Sequence, residues 1–531
     1  MSAIKHLQNY IDGQFIAPIE GKYLNNVNPA TGKVNNQVPN STEKDVEKAV
    51  HAAKKAFESW KAVPKLERAS YLYRIAEEIE KRKEELIEAD SKDMGKPYSD
   101  LKNVDIAETI AQFKLYANAY SVDTTQHFQS HDMFSIEHRD PVGVVGLISP
   151  WNYPIMLIAI KIAPAIVCGN TCVVKPSELA PTSTYLLCQI LETIGLPKGV
   201  VNVVHGLGAS AGEPMFRNSK YTKIWTNSVT HKDVRAISFT GGCVTGGRIC
   251  GLASPMMKKL QMELGGKNPS IVFRDCDWDK TIEGVAFAGL FNTVLCLRVC
   301  VYAGVTMSIA CAFQTYQKKK KGQVCTAGSR VFVEESVFEK FTQSLVEYVD
   351  KTYIQSKRIG DPTDANTIMG PLVSYEHRQK VEKYVELAKK EGGKIILGGR
   401  RPDHEIQSSM KNGAFFLPTV IVGLNPLTSK CATEEIFGPV ITIHSFKTEK
   451  EVIQYANAVQ YGLAASVWTQ DVQKAYRVAR EIETGTVWIN CWEAYIFGQP
   501  FGGVKTSGIG REGGKYSLDF FSQIKPIVCK L

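Results

Sequence analysis

The stretch Gly322–Arg330, GQVCTAGSR, sets Cys325 among small residues. A thiolate is a strong nucleophile, and a carbonyl carbon is a fitting target for it. The small neighbours let a substrate and backbone amides approach closely. Glu263 lies 62 residues upstream, in MELGGKNP, just before a double glycine. A carboxylate there can act as a general base when burial raises its pKa. Asn152, in SPWNYP, stands where a strand gives way to a helix opened by Pro154. Its side-chain amide can donate to an oxyanion. Taken singly, each residue has a plainer reading: an inert thiol, a surface glutamate before a turn, a turn-forming asparagine.

A second set of residues could hold a nucleotide. In VVKPSE, Lys175 and Glu178 follow a strand, within reach of a ribose. A carboxylate there accepts from a 2′-hydroxyl and repels a 2′-phosphate, which favours NAD over NADP. FTGGCVTGG is a glycine-rich turn in which Gly241 and Gly246 are five apart, off the G-x-G-x-x-G spacing. Trp151, beside Asn152, is grouped with these nucleotide-side candidates.

The elements that must position these residues alternate. Thr42 and Asp45 signal a helix start, and Val46, Ala49, Val50, Ala53 and Phe57 follow at helical spacing. From Pro141 the apolar runs VGVVGLIS, TCVVKPS, GVVNVVHG and RAISFTGG read as buried strands separated by helices. The alternation resumes after Glu263 with PSIVF, RVFVEES, KIILGG, TVIVG, VITIHSF and AASVWT. Such alternation predicts parallel sheets covered on both faces, hence an α/β fold with two doubly wound, Rossmann-like lobes. Ser121–Arg139 and the tail from about Gly485 break the pattern and are expected to form strands outside the lobes.

In their order along the chain, the motifs resemble those of the NAD(P)-dependent aldehyde dehydrogenase superfamily. They are Asn152, KPSE, Gly241 with Gly246, Glu263 in ELGGKNP, Cys325 in GQVCTAGSR, Glu435 and Phe437 in EEIFGPV, and PFGGVKTSGIGREGG. The resemblance runs from NYIDGQF to DFFSQIKPIVCKL, essentially end to end. It implies that Cys325 attacks an aldehyde to give a thiohemiacetal and then, after hydride loss to NAD, a thioester. Asn152 and the cysteine N–H would hold the oxyanion, and Glu263 would activate the hydrolytic water. Glu435 and Phe437 would hold the nicotinamide ribose and ring, and Lys175 and Glu178 the adenosine ribose. Lys267, in GGKNP, receives no role from its chemistry.

The resemblance also implies an organisation. Residues 1–120 and 140–258 form an NAD-binding domain, 259–470 a catalytic domain, and 121–139 with 485–531 a small bridging β-element for a homodimer or homotetramer. The tail motif SGIGREGG followed by DFF is most similar to muconate-type semialdehyde dehydrogenases, so 2-aminomuconic semialdehyde is one candidate substrate. In that subgroup an arginine precedes PFGG and can pair with a substrate carboxylate. Here NCWEAYIFGQPFGG carries Glu493, Tyr495 and Phe497 and no arginine, and neither does DIAETIAQFKLYA, the expected substrate-tunnel helix. Trp492, Tyr495, Phe497 and Phe501 suggest a more apolar mouth, or else packing at a domain seam.

Two segments depart from the pattern. The Glu263-to-Cys325 spacing is about twice what the motif order implies. Joining GLFNT to GQVC restores it and marks Val294–Lys321, 28 residues, as extra. The stretch RNSKYTKIWTNSVT, before HKDVRAISF, is about a dozen residues too long, a cheap lengthening of a loop. Within the first insert, Val299–Phe313 gives 15 uncharged residues followed by Lys318–Lys321. A membrane-spanning helix needs about 20 residues, and extending this run upstream brings in Arg298. The insert is therefore read as a surface excursion or a translated non-coding segment and not as an anchor. Because it enters directly before Cys325, a silent family member with a structural or subunit-binding role is the alternative to an active enzyme.

Composition agrees with a soluble globular chain: 44% hydrophobic and 22% charged residues in 531. The net charge of +9 includes the four lysines of the block, and no nucleic-acid partner is inferred. The 13 cysteines lack the spacing of a zinc site, so no metal is expected. The N-terminus has neither an apolar signal core nor an Arg-rich transit helix, and a cytoplasmic location with free thiols is expected.

Overall fold

The computed structural model describes residues 4–119, 126–212, 231–290 and 322–531. The fold is α/β, with a parallel sheet at the centre of each of two lobes. In the first sheet the strands run Gly508–Ile509, Lys259–Glu263, Val234–Thr240, Val144–Ile148, Thr171–Lys175, Val201–Val203, Asn9–Ile11, Gln14–Ile16. The five central strands are parallel and the outer ones antiparallel. Chain order reverses between Val144–Ile148 and Val234–Thr240, so a crevice opens at the carboxyl ends of these two strands.

Side-chain alternation divides this sheet between two cores. Val145, Leu147, Cys172 and Val174 pack on one side with the helix Pro154–Val167. Val144, Ile148, Val173, Ile237 and Phe239 pack on the other with the helix Glu43–Ala62. The latter helix starts as its sequence predicts: Asp45 Oδ2 accepts from the Thr42 N–H at 2.9 Å. The second sheet runs Lys394–Leu397, Thr419–Val422, Val440–Phe446, Arg330–Glu334, Pro269–Val272, Ala464–Trp468, Thr486–Ile489, parallel except for its first strand. A third sheet pairs Met133–Pro141 antiparallel with Ser522–Lys530 along the whole length of both, and adds His127–Gln129.

The expected boundaries shift in three places. Lys259–Glu263 is a strand of the first sheet, because the helix Cys243–Ala253 returns the chain parallel beside Val234–Thr240. The first lobe therefore runs through Glu263 and does not stop at 258. The second lobe extends past 470 to take in Thr486–Ile489 as its edge strand. The tail 485–531 is accordingly not one element: it gives a strand to each of the three sheets. Residues 1–40 likewise divide, with Lys5–His6, Tyr23–Val27 and Val34–Pro39 forming a small sheet of their own.

Val294–Lys321 and the stretch 217–230 lie outside the described residues. What can be described is where the first of them leaves and re-enters the lobe. The Gly322 N–H donates to the Leu290 carbonyl at the end of the helix Trp278–Leu290. If Val294–Lys321 were absent, Gly322 would be the fourth residue after Leu290, and this contact would be an ordinary helical i to i+4 bond. Closing an added loop of this size costs about 3 kcal/mol. A single buried Leu or Ile offsets about half of that or more, and the second lobe's cores hold a dozen such side chains. We therefore expect a chain lacking Val294–Lys321 to fold, with unchanged far-UV circular dichroism and a melting temperature no lower than the full chain's. A collapsed or aggregated product in that experiment would show that the junction is not self-closing.

Candidate active site

Three neighbouring strands of the first sheet deliver residues to one edge. Val144–Ile148 ends before Trp151 and Asn152; Val234–Thr240 ends at Gly241 and Gly242; Lys259–Glu263 ends on Glu263 itself. The second sheet meets them with the amino ends of its strands: Cys325 precedes Arg330–Glu334, and Glu435 with Phe437 precedes Val440–Phe446. Between the lobes lies a cavity of 370 Å³. Cys325, Glu263, Asn152, Trp151, Gly241, Glu435 and Phe437 all line it. Lys175, Glu178 and Gly246 do not. Lys175 Nζ and Glu178 Oε2 pair with each other at 2.9 Å, and a Cβ on Gly246 would sit 2.5 Å from the Leu264 side chain. Gly246 thus serves close packing of the helix Cys243–Ala253.

The loop that carries Cys325 is held by one buried amide. Asn268 Nδ2 donates to the Cys325 carbonyl at 2.8 Å and to the Ala327 carbonyl at 3.0 Å, while its Oδ1 accepts from the Ala464 N–H at 3.0 Å. Trp492 Nε1 donates to the Thr326 carbonyl at 3.2 Å. Asn152 Nδ2 donates to the Gln323 carbonyl at 3.2 Å, leaving its second N–H for another acceptor. The small residues around Cys325 have a different cause from the one expected. Gly322 has φ +67°, and a Cβ there would lie 2.4 Å from the Gly438 carbonyl; a Cβ on Gly328 would lie 2.4 Å from Ser270 Oγ. At both glycines, close packing of the loop on the lobe requires the missing side chain.

The electrostatics are those of buried acids. Glu263 is 4% exposed, and neither carboxylate oxygen has a hydrogen-bond partner among the described residues. Burial, and then the nearby Glu512, push its pKa well above the carboxylate range. Glu512 itself is paired with Lys161 Nζ at 2.6 Å, and Lys161 also donates to Ser238 Oγ at 2.9 Å. Burial, followed by Glu493, Glu435 and Glu263, raises the Cys325 thiol well above its ordinary value. The thiol thus keeps its proton at neutral pH in this arrangement, and a proton acceptor must act before it can attack. Glu435 Oε1 accepts from the Gly266 N–H at 3.0 Å, and burial raises this carboxyl as well.

At the Glu435 end the walls are aromatic. Phe437 adopts φ +62°, a backbone state uncommon for a bulky residue. Its ring meets Trp151 edge-on at 5.5 Å, and Trp151 meets His377 at 5.6 Å. His377 Nε2 lies 2.7 Å from the Phe437 carbonyl, and burial pushes its pKa down to about 4, so the imidazole is neutral. Lys267 does not line the cavity. It is 1% exposed, its Nζ has no hydrogen-bond partner among the described residues, and burial lowers its pKa to about 7. No group of three or more His, Cys, Asp or Glu side chains among the described residues is placed to hold a metal ion.

Sequence reasoning missed Asn268, His377, the Lys161–Glu512 pair and the acid Glu108. One signal was available: Lys161 is the only charge in the apolar helix PIMLIAIKIAPAIV, and a buried lysine needs a partner.

Two outcomes follow. Asn268→Ala leaves two buried carbonyls and one N–H without partners, at about 1–3 kcal/mol each; differential scanning calorimetry should show a clearly lower Tm, and Cys325 should react faster with a thiol reagent. Burial raises Glu493 from 4.5 to about 8. The unfolded chain releases that proton above its own pKa while the folded chain keeps it, so this group destabilises the fold increasingly as pH rises from 4.5 to about 8. Glu493→Gln should therefore raise Tm at pH 8 more than at pH 5, and an equal effect at both would show that the carboxyl is not shifted.

Known proteins resemble this chain in sequence and fold. A model of the aldehyde dehydrogenase family matches residues 15–299 and 306–527. The 2-aminomuconic semialdehyde dehydrogenase of Mus musculus is 39% identical over 526 residues, 99% of this chain and 98% of that protein. The 2-hydroxymuconic semialdehyde dehydrogenase of Pseudomonas sp. (strain CF600) is 38% identical over 534 residues, covering 99% of this chain and all of that one. Among solved structures, betaine aldehyde dehydrogenase from Staphylococcus aureus in complex with NAD+ superposes with a TM-score of 0.87 at 36% identity, covering 99% of this chain and 95% of that one. With these matches spanning both lobes and the cavity between them, the chain belongs to the aldehyde dehydrogenase family.

Proposed function

We propose that this protein oxidises an aldehyde to a carboxylic acid with NAD, using Cys325 as nucleophile. The observation that carries the reading is convergence. Asn152, Glu263, Cys325, and Glu435 with Phe437, from four separate segments of the chain, line one cavity. The residues present fit the cofactor. Gly242 opens the helix Cys243–Ala253, and a Cβ there would meet nothing within 4 Å, so this helix start faces open space as a phosphate site requires. Lys175 and Glu178 would hold the adenosine ribose, with the carboxylate favouring NAD over NADP. Glu435 would hold the second ribose, and Phe437 and Trp151 would flank the ring. When bound, NAD supplies the hydride acceptor that takes the substrate from thiohemiacetal to thioester.

The chain's own residues supply the rest. Cys325 Sγ attacks the aldehyde carbon after its proton passes to a base. Glu263, buried with both oxygens free of partners among the described residues, is held at high proton affinity for that task. The free N–H of Asn152 and the Cys325 backbone N–H would meet the developing oxyanion. Glu263 would then deprotonate the water that releases the acid from the thioester. Against the silent alternative stand the contact between Leu290 and Gly322 and the bond from Asn152 to the Gln323 carbonyl, two residues before Cys325.

The reading includes a homo-oligomer and a cytoplasmic setting, where a catalytic thiol stays reduced. Exposed Phe128, Met133, Ile524 and Val528, which share one face of the third sheet, support the former, as an apolar patch suited to a partner subunit. No described helix is long and apolar enough to cross a membrane. By likeness to the named relatives, a semialdehyde belongs in the substrate panel.

With an aldehyde panel and NAD, Cys325→Ala should lose at least about a thousandfold in NADH production. Glu263→Gln should slow both the first turnover of NADH and the steady state, by about a hundredfold or more, since one carboxylate serves the thiol and the water. NADH formation that survives in Cys325→Ala would overturn the covalent mechanism.

A further inference from the structure

The end of the cavity away from Glu435 is bounded by the helix Ala107–Ala119 and the loop that follows Trp492. Glu108, Tyr116, Tyr153, Leu157, Glu493 and Tyr495 line it. The Tyr495 hydroxyl feels the charges of Glu493, Cys325, Glu263 and Glu108, Glu493 most of all.

Two of these residues are carboxylates that form no ion pair among the described residues, although Glu493 feels the charge of Lys96. Glu493 is 5% exposed; its Oε1 accepts from Thr326 Oγ1 at 2.7 Å, and its Oε2 has no partner among the described residues. Glu108 is 2% exposed; its Oε1 accepts from Gln112 Nε2 at 2.6 Å, and its Oε2 likewise has none. The basic side chains nearby are engaged elsewhere. Lys380 lines the cavity at its other end, where it donates to the Glu435 carbonyl at 3.3 Å. Lys96 is held by Asp105 at 2.6 Å and sits on the Tyr153 ring, 3.8 Å from its centre.

An unpaired buried carboxylate is expensive, so such a group either keeps its proton or meets a cation. Burial pushes Glu493 up to about 8 and Glu108 up to about 7. An ammonium entering this end of the cavity would let the carboxylate it meets ionise, and the Tyr495 ring that lines it would add cation–π attraction. A carboxylate-tailed aldehyde would meet two acids and no free base.

We propose that the aldehyde this site takes carries a cationic group, an ammonium or N-alkylated ammonium, and that Glu493 and Glu108 bind that group while Cys325 meets the carbonyl. The proposal rests on the aldehyde dehydrogenase reading of the site. It assigns Glu493 and Glu108 as specificity-determining residues.

The test is kcat/KM for three probes on the full chain with NAD. One is 4-trimethylammoniobutanal, the second its uncharged carbon isostere 5,5-dimethylhexanal, and the third glutaric semialdehyde, which ends in a carboxylate. The expected order is cation, neutral, anion, with a gap on the order of tenfold or more at each step. Glu493→Gln and Glu108→Gln should each shrink the cation-to-neutral ratio, on the order of tenfold, and mainly through KM of the cation. Because the probe comparison uses the unsubstituted chain, a variant that fails to fold does not weaken it. A cation-to-neutral ratio of one or below, or a preference for glutaric semialdehyde, overturns the proposal and leaves the dehydrogenase reading standing. Folded, NAD-binding protein that makes no NADH from any of the three overturns both.

Discussion

The Asn268 side chain is the constraint on which the site depends. Its amide reaches two carbonyls of the Cys325 loop and one N–H of the strand Ala464–Trp468. Three backbone groups from two segments are thereby fixed to the start of a third, Pro269–Val272. Buried amide bonds of this kind are short and directional, and leaving any one unmade costs more than making it gains. The position of the sulfur is thus determined by the lobe's core and not by the chain that leads into it. This is why a long addition just upstream can coexist with an assembled cavity.

The acids around the cavity form a second layer of the same logic. Glu263, Glu435, Glu108 and Glu493 are each deprived of water, and each has its pKa raised. Only Glu512 among the neighbouring acids has a full counter-charge, Lys161. A site built this way holds protons that the reaction can use or displace. It also presents its substrates with a chemical demand, since whatever enters changes the ionisation of the walls.

Much of the fold was legible because apolar runs at strand length and helices at 3.6 spacing alternate without ambiguity from Pro141 onward. The lobe boundaries were less legible. The boundary expected at 258 falls between Val234–Thr240 and Lys259–Glu263, yet register places these two strands side by side in one sheet. The tail fails for a related reason: two-residue strands such as Gly508–Ile509 carry no periodicity. At the site, the cysteine, glutamate and asparagine were readable from their motifs. Asn268 was quoted within one of those motifs and still missed, because a hydrogen bond that spans 57 residues leaves no local trace. Glu108 was visible only as one helix position among many until the cavity showed which face it occupies.

The contact between Leu290 and Gly322 has an implication for how this gene can change. A point at which the backbone closes on itself with a helical hydrogen bond is one where coding sequence can be gained or lost without disturbing the frame on either side. The lobe therefore contains a permissive junction a few residues from its nucleophile. Splicing differences, or a reporter peptide grafted by design, would be accommodated there at the cost of a loop, while the same change made between Gly322 and Arg330 would break the bonds that hold the sulfur.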